Sequence, residues 1–291
     1  MRHFCPYCSS TERNLYADNQ PYRDQPQKTV PFFSCSRCGT IYPDPRLDFS
    51  EIREYLGSME KMIQYESVSD YHVPWYDYTS KILKRLKKQF SIKTALDVGA
   101  NNGKFCMQLE KTGISATGIE PQETLVNLAQ AQGPNVLLGT YPDELPDTIR
   151  HSTYDMVSMN EVICYFPDLK KSLAVAYKLL SGNGILYIKS FNGENDVMRR
   201  HDSLFSRSGD YLQAFPTISS IRFWIEDSGF KIIEIIPVPD EYFSILTGVA
   251  PEKGRMFQRL FNMVYGNLFL DRETWLSRVD RFVIIAGKRK T

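Results

Sequence analysis

Short apolar runs alternate with amphipathic segments over most of the chain beyond residue 78. The runs predict strands at 94–98, 115–120, 136–138, 154–159, 185–189, 230–236 and 281–286. Helices are predicted at 78–90, 104–112, 123–132, 169–180 and 218–228, where apolar residues recur on one face. The segment Ser181–Gly184 predicts a glycine stop for the fourth helix. This alternation indicates an α/β fold, a parallel sheet with helices on both faces.

The first 46 residues carry two Cys-x-x-Cys knuckles, Cys5–Cys8 and Cys35–Cys38, with a strand-like run at Val30–Ser34 between them. Two knuckles supply the four sulfurs of a tetrahedral site. Six cysteines without a visible secretory signal indicate a reducing compartment, which favours metal binding over the alternatives of disulfides or unligated thiols. We therefore predict a zinc ribbon at 1–46 with structural zinc, because four protein thiolates leave no open position.

A helical linker or cap is predicted at 47–90, between the ribbon and the main domain. Pro43 and Pro45 disfavour a helix at 41–46, which is predicted to be a linker, whereas 49–62 has an amphipathic pattern. The main domain is predicted at 91–291, with a helical insertion at about 237–280. Because long loops are uncommon unless functional, this insertion is predicted to form part of the substrate pocket or a homodimer contact, with core packing as the alternative.

The candidate chemistry begins at the loop Gly99-Ala-Asn-Asn-Gly103, which follows the first main-domain strand. A dinucleotide site requires Gly-x-Gly-x-x-Gly, but Asn101 and Phe105 stand where the second and third glycines would fall. Asp97, two residues before the loop, would oppose a phosphate and suit an ammonium. Glu120 ends the next strand, at a spacing that fits a carboxylate on ribose hydroxyls. The alternative is an ordinary strand-turn-helix with incidental glycines.

Together these residues resemble motif I of the class I S-adenosylmethionine (SAM) methyltransferases, Asp/Glu-x-Gly-x-Gly-x-Gly, with Asn101 replacing the middle glycine. The resemblance covers roughly residues 65–290. It implies a Rossmann-like seven-stranded sheet whose last strand inserts antiparallel between the fifth and sixth. It also implies in-line displacement of the sulfonium methyl group by a substrate nucleophile.

The resemblance further implies a set of cofactor contacts. Asp97 would face the methionine ammonium, the loop backbone would pass the methionine moiety, and Glu120 would take the ribose. The implied cofactor-binding residues are Asp97, Gly99, Ala100, Asn101, Gly103, Glu120, Pro121, Thr140, Tyr141 and Asn160. Tyr65 and Tyr71 are further candidates, since a helix before motif I often closes over the cofactor in this family.

No catalytic base can be carried over from the family. The segment Asn160–Asp168 resembles the family's Val-Leu-Glu-His stretch, but Cys164 and Tyr165 stand where Glu-His would be. Tyr165 is a catalytic candidate on this ground, with a structural tyrosine as the alternative. His201 is the second candidate, because it lies in a polar loop after a strand end, where α/β folds bind substrate.

The formal net charge of +1 gives the chain no overall attraction to nucleic acid or to anionic membranes. No apolar run approaches the about 20 residues of a membrane span, and we expect a cytoplasmic protein. The predicted function is therefore a SAM-dependent methyltransferase acting on a small molecule, such as a sugar or a biosynthetic intermediate. Two rivals stay open: a zinc-ribbon RNA methyltransferase, and a SAM-binding scaffold that does not catalyse.

Overall fold

The computed structural model describes residues 4–21, 29–46, 74–193, 213–238 and 281–289. The predicted helix at 49–62, the candidates Tyr65, Tyr71 and His201, and most of the segments 191–216 and 237–280 lie outside the described residues. Within those ranges, each helix is too short or too polar to span a bilayer.

The N-terminal sheet has three strands, β1 (Arg13–Pro21), β2 (Thr29–Cys35) and β3 (Ile41–Pro43). The described helices of the main domain are α1 (Pro74–Phe90), α2 (Lys104–Lys111), α3 (Glu123–Ala131), α4 (Asp147–Arg150), α5 (Leu169–Leu179) and α6 (Ile218–Asp227). Its strands are β4 (Thr94–Val98), β5 (Ser115–Glu120), β6 (Val136–Leu138), β7 (Tyr154–Asn160), β8 (Leu180–Phe191), β9 (Phe230–Val238) and β10 (Arg281–Lys288). A single 3₁₀ turn at Ile163–Tyr165 follows β7.

The seven strands of the main sheet follow the order β6-β5-β4-β7-β8-β10-β9. The strands from β6 to β8 run parallel, and β10 is antiparallel to both of its neighbours, with Ile284 opposite Ile188 on one side and Ile235 on the other. The predicted fold class and the insertion of the last strand are therefore confirmed.

Alternate residues of the central strands enter opposite faces of the sheet. Leu96, Val157 and Ile188 pack with residues of α5 and α6. Their neighbours Ala95 and Met156 pack with α1, α2 and α3 on the other face. Because both faces are covered by helices, these strands are continuous apolar runs, as buried parallel strands are in general.

The glycine stop predicted after α5 is wrong. Helix α5 ends at Leu179, and Leu180 is already extended at φ −76° and ψ 140°, so β8 begins directly after the helix. The segment Ser181–Gly184 forms an irregular start of that strand, since the pairing jumps from Tyr154–Leu180 to Met156–Ile185. The local glycine signal is overridden by the pairing of Leu180 with Tyr154 of β7.

The linker predicted at 41–46 is wrong in its first half, because residues 41–43 form β3. This strand pairs with β2, with Tyr42 opposite Phe33. Pro43 is tolerated because β3 is an edge strand, where a missing backbone donor removes no ladder hydrogen bond. Strand β1 was not predicted either, because its residues are mostly polar and give no apolar run. It lies at the other edge of this small sheet.

The N-terminal sheet is docked on the main domain through α6. The Tyr7 hydroxyl donates to the Trp224 carbonyl oxygen at 2.9 Å, and the two rings lie 5.7 Å apart. The indole nitrogen of Trp224 donates to the Thr40 hydroxyl, also at 2.9 Å. Since Trp224 is fully buried, the ribbon and the main domain share one core.

Candidate cofactor site and metal centre

The four predicted metal ligands come together. The Cys5 and Cys38 sulfurs lie 3.6 Å apart, the Cys8 and Cys35 sulfurs lie 3.5 Å apart, and all four lie within 4.8 Å of one another. A metal at about 2.3 Å from four tetrahedral sulfurs would place those sulfurs about 3.8 Å apart. The donor set and its spacing therefore fit a thiophilic metal with no open coordination position.

Side chains around the cysteines link this centre to the docking contact. The Cys38 sulfur lies 2.9 Å from the Thr40 hydroxyl, which also accepts the Trp224 indole hydrogen bond. Outer partners of this kind orient metal ligands. The cysteine cluster is thus connected through Thr40 to a buried residue of the main domain.

The glycine loop lies between β4 and α2. Its backbone has positive φ angles, which residues other than glycine rarely adopt. Gly99 has φ +69° and Gly103 has φ +75°, and a Cβ at either position would meet another side chain within 2.8 Å. Asn101, in place of the family's middle glycine, also has a positive φ of 50°, which asparagine tolerates better than most residues. The substitution at Asn101 therefore preserves the turn.

Asp97 lies at the end of β4 directly beneath this loop and is almost fully buried. Its carboxylate accepts a hydrogen bond from the Ser158 hydroxyl at 2.7 Å, and the Cys106 thiol lies 3.8 Å from its other oxygen. Burial raises the pKa of Asp97 to about 7, against the lowering effect of these hydrogen bonds. A cationic group placed in the cleft would favour the ionised form.

Glu120 lies at the end of β5, on the neighbouring side of the loop. Its carboxylate accepts the backbone N–H of Asn101 at 2.9 Å and that of Gln122 at 3.2 Å. Burial raises the pKa of Glu120 to about 7 as well. The two acids predicted to hold opposite ends of the cofactor are thus both buried at the carboxyl ends of adjacent strands.

A cleft opens over the loop. It is lined by Asp97, Gly99, Ala100, Asn101, Asn102, Lys104, Phe105, Gln108 and Asn160. The Asn160 side-chain oxygen is buried and has no hydrogen-bond partner among the described residues, and the same holds for that of Gln122 beside Glu120. Unsatisfied buried acceptors are costly, so a bound ligand that donates hydrogen bonds would relieve both. An acid and an amide acceptor around one cleft fit the ammonium of SAM.

Five of the ten residues predicted to bind the cofactor, Asp97, Gly99, Ala100, Asn101 and Asn160, line this cleft together. Thr140 and Tyr141 lie after β6 instead, where Thr140 pairs with Glu144 and the Tyr141 hydroxyl donates to the Ser172 carbonyl at 2.6 Å. Their roles, and those of Gly103, Glu120 and Pro121, stay predictions. Three cleft residues of α2, Lys104, Phe105 and Gln108, were not predicted from the sequence. They could have been predicted, because a helix that starts at the loop brings its first turns to the cleft.

A charged group next to the cleft was also not predicted. Glu161, the residue after Asn160, pairs with Lys189 at 2.7 Å and with Arg281 at 2.9 Å. Glu161 follows β7 directly, whereas Lys189 and Arg281 lie in β8 and β10, so the three residues are far apart in the chain and no local signal could join them. By contrast, the catalytic candidate Tyr165 packs with the apolar cluster beneath the ribbon.

Residues 70–235 match the model of a family described as a methyltransferase domain. The match covers more than half of the chain. The chain belongs to this family. The family implies SAM as the cofactor.

Among curated relatives, a tRNA U34 carboxymethyltransferase of Campylobacter jejuni is 27% identical over 165 residues, 53% of this chain and 55% of the relative. The chain spans about half the length of the curated relatives it matches. Among solved structures, a SAM-dependent methyltransferase of Thermotoga maritima has a TM-score of 0.51 at 18% identity, over 82% of this chain and 96% of that chain. One from Clostridium acetobutylicum has a TM-score of 0.50 at 10% identity, over 82% and 99%. At these identities the structures share the fold alone.

Proposed function

We propose that this methyltransferase-family chain transfers the methyl group of SAM to a small-molecule acceptor, such as a sugar or a biosynthetic intermediate. The observation that carries the proposal is the cleft over the Gly99–Gly103 loop, where buried Asp97 and the unsatisfied oxygen of Asn160 meet. SAM would supply an electrophilic methyl on a positively charged sulfur. The protein's main contribution would be to position the reactants.

Four residues of the cleft, and Glu120 beside the loop, have roles in this proposal. Asp97 and Asn160 would accept hydrogen bonds from the amino-acid ammonium. The N–H groups of Gly99 and Ala100 both donate to the Ile119 carbonyl and so hold the loop against β5. Glu120 would accept hydrogen bonds from the ribose hydroxyls, either in place of its hydrogen bond from the Asn101 backbone N–H or in addition to it.

The preference for a small acceptor rests on the residues packed at the carboxyl ends of β7 and β8, the side from which an acceptor would approach. The ribbon lies against the carboxyl ends of β7 and β8, where Phe32 and Ile41 pack with Cys164 and Phe215. The Tyr16 hydroxyl also donates to the Gly193 carbonyl at 3.4 Å, just beyond β8. Small-ligand sites are lined mainly by apolar side chains, whereas RNA sites take affinity from basic surface.

RNA is the second candidate acceptor. The relatives named tRNA U34 carboxymethyltransferase favour it, although they match only about half of this chain. The formal net charge of +1 disfavours it, because phosphate neutralisation needs an excess of cations. These two observations point in opposite directions, and the choice between them calls for a direct comparison of the two acceptor classes.

The test uses the purified full chain with SAM labelled on its methyl group. It is incubated separately with a protein-free small-molecule extract and with purified total tRNA. We expect S-adenosylhomocysteine and labelled product from the small-molecule extract. Labelled tRNA would replace the proposal with the RNA reading, and SAM binding without turnover in either pool would favour a non-catalytic scaffold.

A further inference from the structure

The carboxyl edge of the main sheet carries an ion cluster beside the cofactor cleft. Asn160 lines the cleft, and the next residue, Glu161, is fixed at this edge because its backbone N–H donates to the Lys189 carbonyl at 2.9 Å. In open α/β sheets, the substrate approaches over the carboxyl ends of the strands. Glu161 therefore lies between the predicted cofactor position and the side from which an acceptor would enter.

The backbone of Glu161 is strained. Its φ of +60° is in the left-handed region, which is uncommon for a non-glycine residue without a short polar side chain. Such conformations persist where surrounding contacts enforce them, and they cluster at functional sites. Here the surrounding contacts are two cations that hold the side chain in one position.

Both cations contact the same carboxylate oxygen. Lys189 Nζ lies 2.7 Å from Glu161 Oε1, and Arg281 Nε lies 2.9 Å from that atom. The Glu161 side chain is 35% exposed, whereas that of Lys189 is 4% exposed. Both of these ion pairs are made by Oε1, and the second oxygen, Oε2, is on a side chain that solvent reaches. The cluster thus fixes the carboxylate through one of its two oxygens.

The charge state of Glu161 follows from the same contacts. Partial burial works to raise the pKa of Glu161, but the charges of Lys189 and Arg281 outweigh it, and the net effect is a lowered pKa. At neutral pH the group is ionised and accepts hydrogen bonds without donating them. This differs from Asp97 and Glu120, whose pKa values are raised.

We propose that Glu161 is a catalytic residue whose second oxygen, Oε2, accepts the hydrogen bond of the O–H or N–H on the acceptor atom that is methylated. This inference rests on the proposed methyl transfer. The lone pair of the acceptor oxygen or nitrogen forms the bond to the methyl carbon. The carbon–sulfur bond breaks with its electron pair remaining on sulfur. The acceptor's proton passes to Glu161 Oε2 and then to solvent, while Lys189 and Arg281 keep the carboxylate oriented.

The inference narrows the substrate class to acceptors that carry a hydrogen on the nucleophilic atom, which are alcohols, phenols and amines. A carboxylate cannot orient a thioether or another nucleophile without such a hydrogen, because an ionised carboxylate only accepts hydrogen bonds. Fragmentation of the labelled product in tandem mass spectrometry distinguishes O-methyl from N-methyl products.

The experiment compares Glu161→Gln and Glu161→Ala with the wild-type chain, using the active acceptor pool from the test above. Removal of a positioned proton acceptor should lower the rate of S-adenosylhomocysteine formation by about 100-fold or more. The dissociation constant for SAM should stay within about twofold, because Glu161 is not among the residues that line the cleft. Sodium formate supplies a carboxylate and should partly restore the rate of Glu161→Ala. If the role of Glu161 were purely structural, formate would not restore the rate.

The matched control is Glu234→Gln, which removes a carboxylate that also pairs with an arginine, Arg85 at 2.8 Å, on the edge strand β9. It should turn over at the wild-type rate. Wild-type turnover in Glu161→Gln, or product methylated at an atom that bore no hydrogen, overturns the inference while leaving the proposed function intact. An inactive wild-type chain in every acceptor pool overturns both.

Discussion

Asn101 donates its backbone N–H to the Glu120 carboxylate at 2.9 Å, so the acid predicted to hold the ribose also fixes the loop predicted to hold the methionine end. This bond joins two predicted cofactor contacts, one in the loop after β4 and one at the end of β5. A ligand that bonds to Glu120 would therefore also affect the conformation of the loop at Asn101. Binding at the two ends of the cofactor is expected to be cooperative.

Replacing Glu120 should weaken SAM binding. Glu120→Ala removes charge-assisted hydrogen bonds to the ribose and the anchor of the Asn101 backbone, for an expected loss of about 1.5–3 kcal/mol. Titration calorimetry measures the change. Glu123→Gln, at an exposed acid in the first turn of α3, is the control and should bind normally. Equal affinity in Glu120→Ala and wild type would remove Glu120 from the site.

SAM binding should weaken as the pH falls below about 7. Burial raises the pKa values of Asp97 and Glu120 to about 7 in the free protein, and a cationic ligand favours the ionised acids. Binding therefore releases protons at lower pH, and affinity falls by up to about tenfold per pH unit for each coupled acid. Calorimetry at about pH 6 and about pH 8 measures this. A pH-independent affinity would contradict it, and Asp97→Asn should reduce the slope.

The same acids should affect the stability of the free protein with the opposite dependence. Their pKa values in the fold lie above the ordinary 3.8 and 4.5, so their contribution to stability is present below those values and is lost as the pH rises through about 7. Without SAM, Asp97→Asn should therefore remove part of the stability loss between about pH 4 and about pH 7. Urea denaturation across this range measures the effect, and an unchanged profile would argue that Asp97 is ionised at little cost.

Purified protein should contain one zinc bound by Cys5, Cys8, Cys35 and Cys38, and its removal should lower the melting temperature. Metal binding contributes to the folding of small ribbons, and here the Thr40–Trp224 contact extends that effect into the main domain. Metal analysis and thermal unfolding, with and without a chelator, measure both. Cys8→Ser should lose the metal, whereas Cys164→Ser, at a cysteine outside the ribbon, should keep it. Metal-free protein with four free thiols would contradict the assignment.

The ribbon should stabilise the main domain through Tyr7. Tyr7→Phe removes the hydroxyl that donates to the Trp224 carbonyl and should cost about 0.5–1.5 kcal/mol of unfolding free energy. Urea denaturation measures this change. Tyr177→Phe is the control, because the described contacts of Tyr177 with Phe230 and Lys288 use its ring. Equal stability in both variants would mean that the ribbon is not held by this hydrogen bond.

The sequence determined features that depend on local pattern or spacing. Strands β4 and β5 have the predicted bounds because each is a short apolar run between turn residues. The Cys-x-x-Cys knuckles predicted a four-sulfur cluster because two residues between cysteines let both sulfurs face one point. Asp97 and Glu120 could be chosen because strand ends next to a glycine loop meet at one edge of a parallel sheet.

Tertiary structure alone decided features that join distant segments. β3 exists because β2 pairs with it, although Pro43 argues against regular structure, and the start of β8 follows its pairing with β7 rather than its glycines. Glu161, Lys189 and Arg281 meet because β10 inserts next to β8, which brings Arg281 into contact with the residue that follows β7. Charge pairing and burial depend on the three-dimensional neighbours of a residue, and these neighbours are fixed only when the sheet is assembled.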